Sequence, residues 1–243
     1  MISALHICSS ALVLLALATS ATRATTVRGS VELVASRDPM VRKHKDYSGV
    51  VVWLEPLGTS VSPAPPSRPA QMIQKNKMFI PHVLAVPLGG SVAFPNLDPI
   101  FHSAFSNFNG QIFDVGLYKP GSSRTVVFKR AGVVRVFCNI HPQMSAVIAV
   151  LDTPYFAVTD KAGAFEIAGV PPGEYQFHVF HERASEETLD SLTHKIMVET
   201  AALELPPLPI SESGYLQVPH KNKYGKDYPP VIDNQPSYSG AKR

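Results

Sequence analysis

Cysteine is nearly absent: the 243-residue chain has Cys8 and Cys138 and no other. If the first 24 residues are a leader that is removed, one thiol remains, and an internal disulfide is excluded. Tryptophan occurs once, and charged residues make up only 17% of the chain, with a formal net charge of +3. There is no Lys/Arg run and no basic helix, so nucleic acid is not expected as a partner. No window sustains a helical apolar period. No Ser/His/Asp elbow, phosphate-cradling loop or His-Glu-x-x-His pair occurs either, so the expectation is that the protein is not an enzyme.

Proline and glycine are plentiful, at 22 and 15, and 45% of residues are apolar, an ordinary share for a folded protein rich in turns and short strands. The run Ala11 to Ala18 is too short to span a bilayer and is followed by small residues, as in a secretory signal cleaved after Ala24. An N-terminal membrane anchor is the alternative. A signal places the mature chain in the periplasm or outside the cell, with no transmembrane segment left. There a lone thiol is exposed to oxidation unless something, such as a metal, protects it.

The expected fold class is all-β. Alternation predicts strands at Val27 to Val34, Gly49 to Leu54, Met78 to Ile80, Val83 to Val86, Ser91 to Phe94, Thr125 to Phe128, Val133 to Phe137 and Ala146 to Leu151. Tyr155 to Thr159 and Ala164 to Ile167 read as a hairpin around Asp160-Lys161-Ala162-Gly163, and Tyr175, Phe177 and Val179 as one apolar strand face. Lys195 to Val198 is a last strand, and Glu182 to Leu192 the one helix candidate. From 207 to 243 the chain is Pro-, Lys- and Tyr-rich without period, which predicts an extended or disordered tail.

The chemistry concentrates in Cys138-Asn139-Ile140-His141-Pro142-Gln143-Met144, with His102 upstream. Two imidazoles, one thiolate and a thioether make the donor set of a single blue-copper electron-transfer site. Soft sulfur favours Cu(I) and imidazole serves either oxidation state, so the set suits a one-electron cycle. Cys138 ends an alternating strand, Pro142 stiffens the loop, and His102 must come from a neighbouring strand end. A lone buried cysteine is more often inert; the added His102 and Met144 tip the reading toward metal. His82 reads as structural or surface, and His44 and His220 as solvated. His178 and His181, three apart, fall on opposite faces of a strand and make a poor second metal site. Asp98 reads as a turn cap, with a distant hydrogen-bond partner as the alternative, and Asp114 as a turn residue.

From roughly Gln71 to Leu151 the chain resembles the cupredoxins of the plastocyanin and amicyanin type. The resemblance rests on Phe79-Ile80-Pro81, Val86, Gly89, Val92 to Asn96, Asp98, His102, Phe113-Asp114, Gly121, Gly132 and the Cys138 loop. It implies a Greek-key β-sandwich over residues 69–151 with His102, Cys138, His141 and Met144 as copper ligands. It also implies that His141 is the solvent-edge ligand, within an apolar docking patch of Phe101, Phe105, Pro142 and Met144. Cupredoxins usually have Asn after the first histidine and Ser or Thr after the cysteine. Here the pair is exchanged, as Ser103 and Asn139, and is expected to hydrogen-bond across the two ligand loops.

Thr159-Asp160-x-x-Gly163-x-Phe165 and Pro171-Pro172-Gly173-x-Tyr175 resemble a transthyretin-like or carboxypeptidase-regulatory-like sandwich. Arg28 to Val31 and Val50 to Leu54 fit the strands such a module needs, so a nested order is expected, with 25–59 and 152–206 forming a smaller sandwich around the copper unit. The alternative is a tandem order. Together these features are similar to bacterial methylamine-utilisation-like cupredoxin proteins. They imply an exported one-electron carrier with an unknown redox protein partner. The alternatives are a carbohydrate- or protein-surface-binding module with structural copper, in contact with carbohydrate or the cell surface, and a copper storage protein or chaperone.

Overall fold

The computed structural model describes residues 24–58, 61–107, 110–216 and 219–229. The expected signal segment falls almost wholly outside them, and so does the end of the tail, 230–243. In chain order the elements are β1 (Thr25–Val34), α1 (Pro39–His44), β2 (Val51–Pro56), β3 (Ala70–Gln71), β4 (Ile73–Lys75), β5 (Met78–Ile80), β6 (Val83–Pro87), β7 (Ser91–Pro95), β8 (His102–Ser106) and β9 (Phe113–Tyr118). They continue as β10 (Ser123–Val127), β11 (Gly132–Phe137), β12 (Ser145–Leu151), β13 (Phe156–Val158), β14 (Ala164–Val170), β15 (Gly173–Phe180), α2 (Glu186–Leu192), β16 (His194–Val198), β17 (Leu203–Glu204) and β18 (Leu208–Ser211). The fold is all-β sandwich. No helix among the described residues is long and apolar enough to cross a membrane.

Strands β3 to β12 build one sandwich. A sheet ordered β6-β12-β11-β8-β9 faces a smaller one ordered β10-β7-β3, with the β4–β5 hairpin beside them. Val92, Phe94, Phe128, Val134, Val136, Ile148 and Val150 fill the space between. β11 shows why it takes this place: Val134 and Val136 are buried while Arg135 between them is exposed, the alternation of a strand with one wet face.

β12 is different. Almost every residue of Ser145–Leu151 is buried. Ala146, Ile148 and Val150 face the core just described, while Val147, Ala149 and Leu151 join Val51 and Val83 in a separate apolar cluster. Trp53, Phe156 and Phe180 close that cluster from the other side. A continuous apolar run signals a strand buried on both faces, and here the second face is covered by another part of the same chain.

That part consists of a sheet ordered β14-β1-β17, with β18 also on β1, and a sheet ordered β13-β2-β15-β16. Its own core includes Val27, Val31, Leu54, Phe165, Ile167, Tyr175, Phe177 and Ile210. β1 and β2, at the start of the described chain, therefore pair with strands from residue 156 onward.

Two expectations fail here. β13 and β14 are not a paired hairpin: β13 pairs with β2 and β14 with β1, so the chain changes sheets at the turn. The turn carries the expected hydrogen bonds, Gly163 N to Asp160 O at 3.0 Å and Asp160 N to Ala164 O at 3.0 Å, but the apolar faces of its two flanks belong to opposite sheets. Gly163 has φ +82°, and a Cβ there would overlap the Val31 carbonyl oxygen. The short helix α1 went unforeseen because six residues are too few to show a period; its signal was local, Asp38 accepting from Met40 N at 2.8 Å with Pro39 in the first turn.

The tail expected over 207–243 is ordered in its described part. β18 lies parallel to β1, Glu212 is buried, and residues 219–229 pack on the Cys138 loop through several hydrogen bonds. A single edge strand followed by a hydrogen-bonded irregular segment leaves no periodic trace in sequence.

Candidate metal centre

The loop Cys138 to Met144 is the connection of the β11–β12 hairpin, whose last ladder pair is Phe137 with Ser145. It folds back on itself: Cys138 N donates to Met144 O at 3.2 Å, and Met144 N to His141 O at 3.0 Å. Phe137 also pairs with Phe105 of β8. That pairing carries His102, the first residue of β8, alongside the loop.

The donor atoms converge. Cys138 Sγ lies 3.9 Å from His102 Nδ1 and 3.5 Å from His141 Nδ1, and the three ligand atoms all lie within 4.8 Å of one another. Ligands about 2.0–2.3 Å from a shared ion sit at such separations. The two imidazole rings are 4.7 Å apart at 61°, so both nitrogens face the sulfur without the rings stacking. His102 and Cys138 are fully buried, and His141 is half-buried. Met144 is fully buried in the same core cluster as Cys138.

Electrostatics prepare the site for a cation. Burial pushes the Cys138 thiol up, but hydrogen bonds with His102 and His141 outweigh it and bring the group down to about 5. The same pairing, with Asp98, raises His102 above its ordinary value against the effect of burial. Metal binding needs the thiolate and neutral imidazoles, so it displaces protons from this group. Soft sulfur, two imidazoles and a closed, buried setting fit one type 1 copper ion.

The surroundings lock the donors. Asp98 Oδ2 accepts from His102 Nε2 at 2.8 Å, which fixes Nδ1 as the atom free for a metal. Asp98 also accepts from Asn76 N at 2.6 Å and Lys77 N at 2.9 Å, so it caps the β4–β5 turn and orients a histidine at once. Asp98 is thus both a turn cap and a hydrogen-bond partner, the two roles expected of it as alternatives. Gln74, fully buried, donates to Ser103 O at 3.0 Å and accepts from Tyr118 OH at 2.8 Å, tying β4 and β9 to the start of β8.

Ser103 Oγ accepts from Asn139 N at 2.8 Å and points its hydroxyl at Cys138 Sγ, 3.7 Å away. The Asn139 side chain faces elsewhere: its Oδ1 accepts from Lys223 N at 3.0 Å. The contact between the exchanged pair thus runs from a serine side chain to a backbone amide. Two residues of the expected apolar patch are misplaced, since Phe105 and Met144 are buried and Phe101 is 36% exposed. Ile140, 44% exposed, and Leu97, 56% exposed, join Phe101 as exposed large apolar side chains in these two loops.

His178 stacks on Trp53 at 4.9 Å, whereas His181 is buried against Glu212 at 2.8 Å. His220 is not simply solvated: it stacks on Phe137 at 4.0 Å. Sequence reasoning missed Gln74, His220, Lys223 and Tyr228 around the site. Only Asp98, four residues before a candidate ligand, carried a local signal.

No protein-family model matches the chain, and no curated protein matches it. Among solved structures, a purple cupredoxin from Nitrosopumilus maritimus is similar at 26% identity over 34% of this chain and 99% of its own, with a TM-score of 0.31. An amicyanin variant in its reduced Cu(I) form is similar at 15% identity over 41% of this chain and 98% of its own, TM-score 0.33. A copper-containing nitrite reductase from Thermus scotoductus matches at 22% identity over 50% of this chain but only 28% of its own, TM-score 0.34. The β3–β12 unit itself shows two facing sheets, with the donor cluster at the β11–β12 turn.

Proposed function

We propose that the protein is an exported type 1 copper protein that carries single electrons, with His102, Cys138, His141 and Met144 as ligands. The observation that carries this reading is the convergence of His102 Nδ1 and His141 Nδ1 on the buried Cys138 sulfur. Copper, when bound, would alternate between Cu(I) and Cu(II) and so take up and release one electron. Cys138 supplies the soft thiolate, held at a strand end. His102 is kept in one orientation and tautomer by Asp98. Met144 offers a weak thioether from the core, and half-buried His141 offers the edge nearest solvent. Small reorganisation follows from donors that are fixed by backbone pairing on both sides. Four donors leave no open position for substrate, which favours a carrier over an enzyme.

We read residues 25–58 and 152–211 as a second sandwich wrapped around the copper unit, supported by the pairing of β1 and β2 with β13 to β18. Its transthyretin-like character rests on its sequence marks alone. A surface-binding role for it, and an export signal at the N-terminus, belong to the same proposal.

Purified protein titrated with Cu(II) should develop an intense blue, green or purple thiolate-to-copper band at one equivalent, with a reversible one-electron couple. Cys138→Ser should remove the band and keep the β-sheet spectrum. Copper binding without redox cycling would replace the carrier reading with storage, and no binding at all would refute the site.

A further inference from the structure

Residues 219–229 lie against the ligand loop and hold three of its polar groups. Tyr228 OH donates to the Cys138 carbonyl oxygen at 2.7 Å. His220 Nε2 donates to the Pro142 carbonyl oxygen at 2.7 Å while its ring stacks on Phe137 at 4.0 Å and 26°. Lys223 N donates to Asn139 Oδ1 at 3.0 Å. The sandwich grips the loop elsewhere, through Asn139 N on Ser103 Oγ, and the loop closes on itself through Cys138 N on Met144 O. The two sets of contacts are complementary, one beneath the loop and one across it.

The segment has a shape of its own. Asn222 N bonds Lys226 O at 2.9 Å, Gly225 N bonds Asn222 O at 2.9 Å, and Asn222 Oδ1 accepts from Tyr224 N at 2.9 Å. Gly225 takes φ +72° to close the turn. Lys223 Nζ ties the turn to Asp114 of β9 at 2.7 Å, and the Tyr228 ring packs edge-on to His220 at 5.2 Å. The segment is therefore a compact strap anchored on β9 and on the ligand loop; the Tyr228 and His220 side chains meet the loop at its first and fifth residues, and the Lys223 amide meets it at the second.

We propose that this strap is a working part of the metal centre: His220, Lys223 and Tyr228 are positioning residues that keep the loop closed over Cys138 and set how fast copper and small thiol reagents reach it. The protection of Cys138 needs no metal; the control of copper exchange rests on the ligand reading above. Each lost hydrogen bond should make loop opening several-fold more frequent.

The test uses the full chain with Tyr228→Phe, His220→Ala and both together, and Tyr224→Phe as a control at an exposed position of the same turn. In metal-free protein, modification of Cys138 by a water-soluble aromatic disulfide should speed up about three- to tenfold in either single variant and about ten- to hundredfold in the double. The Tyr224→Phe control should stay at the parent rate. Tyr228→Phe keeps the ring and removes only the hydroxyl, so it serves even if the double variant does not fold. In copper-loaded protein, transfer of Cu(I) to a chelator should rise by a similar factor with the melting temperature unchanged. Parent-like thiol rates in Tyr228→Phe and His220→Ala would overturn the proposal. If the parent protects its thiol through the strap but takes up no copper, the ligand reading fails and the strap stands.

Discussion

Asp98 offers a sharp test of how the site is built. Its Oδ1 takes the Asn76 amide, and its Oδ2 takes both the Lys77 amide and His102 Nε2. In Asp98→Ala all three donors lose their partner. Asn76 and Lys77 are exposed and can turn to water, so their loss costs about 0.5–1.5 kcal/mol each. His102 is fully buried, so its orphaned N–H bears the larger penalty of about 1–3 kcal/mol, and the ring is free to swing. Supporting groups of this kind usually govern metal affinity by about 10–100-fold, equivalent to roughly 1.4–2.8 kcal/mol, which agrees with the cost at His102. Asp98→Asn should fall between: its one oxygen can serve His102 and Lys77, but its NH2 then faces the Asn76 amide, donor to donor. The assay is competitive copper titration against a chelator of known affinity, read at the thiolate-to-copper band. Parent-like affinity and band in Asp98→Ala would refute the view that this carboxylate orients His102. An Asp98→Asn variant weaker than Asp98→Ala would refute the bond-by-bond reasoning.

Glu212 is 2% exposed and meets His181 at 2.8 Å, Arg183 at 2.9 Å and Ser36; Glu212→Gln should cost about 3–5 kcal/mol in urea unfolding, and a loss under 1 would show the network to be dispensable. Burial opposes its ionisation, but His181, Arg183 and Ser36 outweigh burial and hold its carboxyl at about 2. Its contribution is therefore complete above the ordinary carboxylate range and is lost as pH falls toward about 2, a slope that Glu212→Gln should remove. His82, just before β6, meets Glu182, beyond β15, at 2.7 Å, and the Glu182 hydrogen bond raises the imidazole above its ordinary value. That contact is fully formed below about 6.5 and is lost as pH rises through the raised value. Amide exchange around Val83 and Val147 should then quicken on the alkaline side, and the effect should vanish in His82→Gln. Gly163→Ala combines φ +82° with overlap on the Val31 carbonyl; it should cost more than about 1 kcal/mol in thermal unfolding, whereas the same change at Gly169, also at positive φ but with open space around it, should cost less.

Much of the all-β architecture was legible because alternation is a local property. Val134 and Val136 flanking Arg135, or Tyr175, Phe177 and Val179 flanking Gln176 and His178, announce one buried face without knowledge of what covers it. The donor set was legible for a similar reason, since three of the expected ligands share one hairpin loop. The strands β8 and β9 were not, because His102 to Ser106 is buried at every position and short, and a bulge interrupts its register with β9.

The sequence by itself determined that the chain is built of short strands, that a thiol, imidazoles and a thioether crowd one turn, and which residue types could share an ion. Only the tertiary structure decided which sheet each strand joins, that Asp98 turns His102 toward the sulfur, and that residues 219–229 close over the loop. The physical reason is range. Periodicity and loop spacing act between neighbours along the chain, whereas Tyr228 on Cys138, Glu212 on His181 and β1 on β14 are contacts between distant segments. Their hydrogen bonds form only once the two sandwiches have brought those segments together.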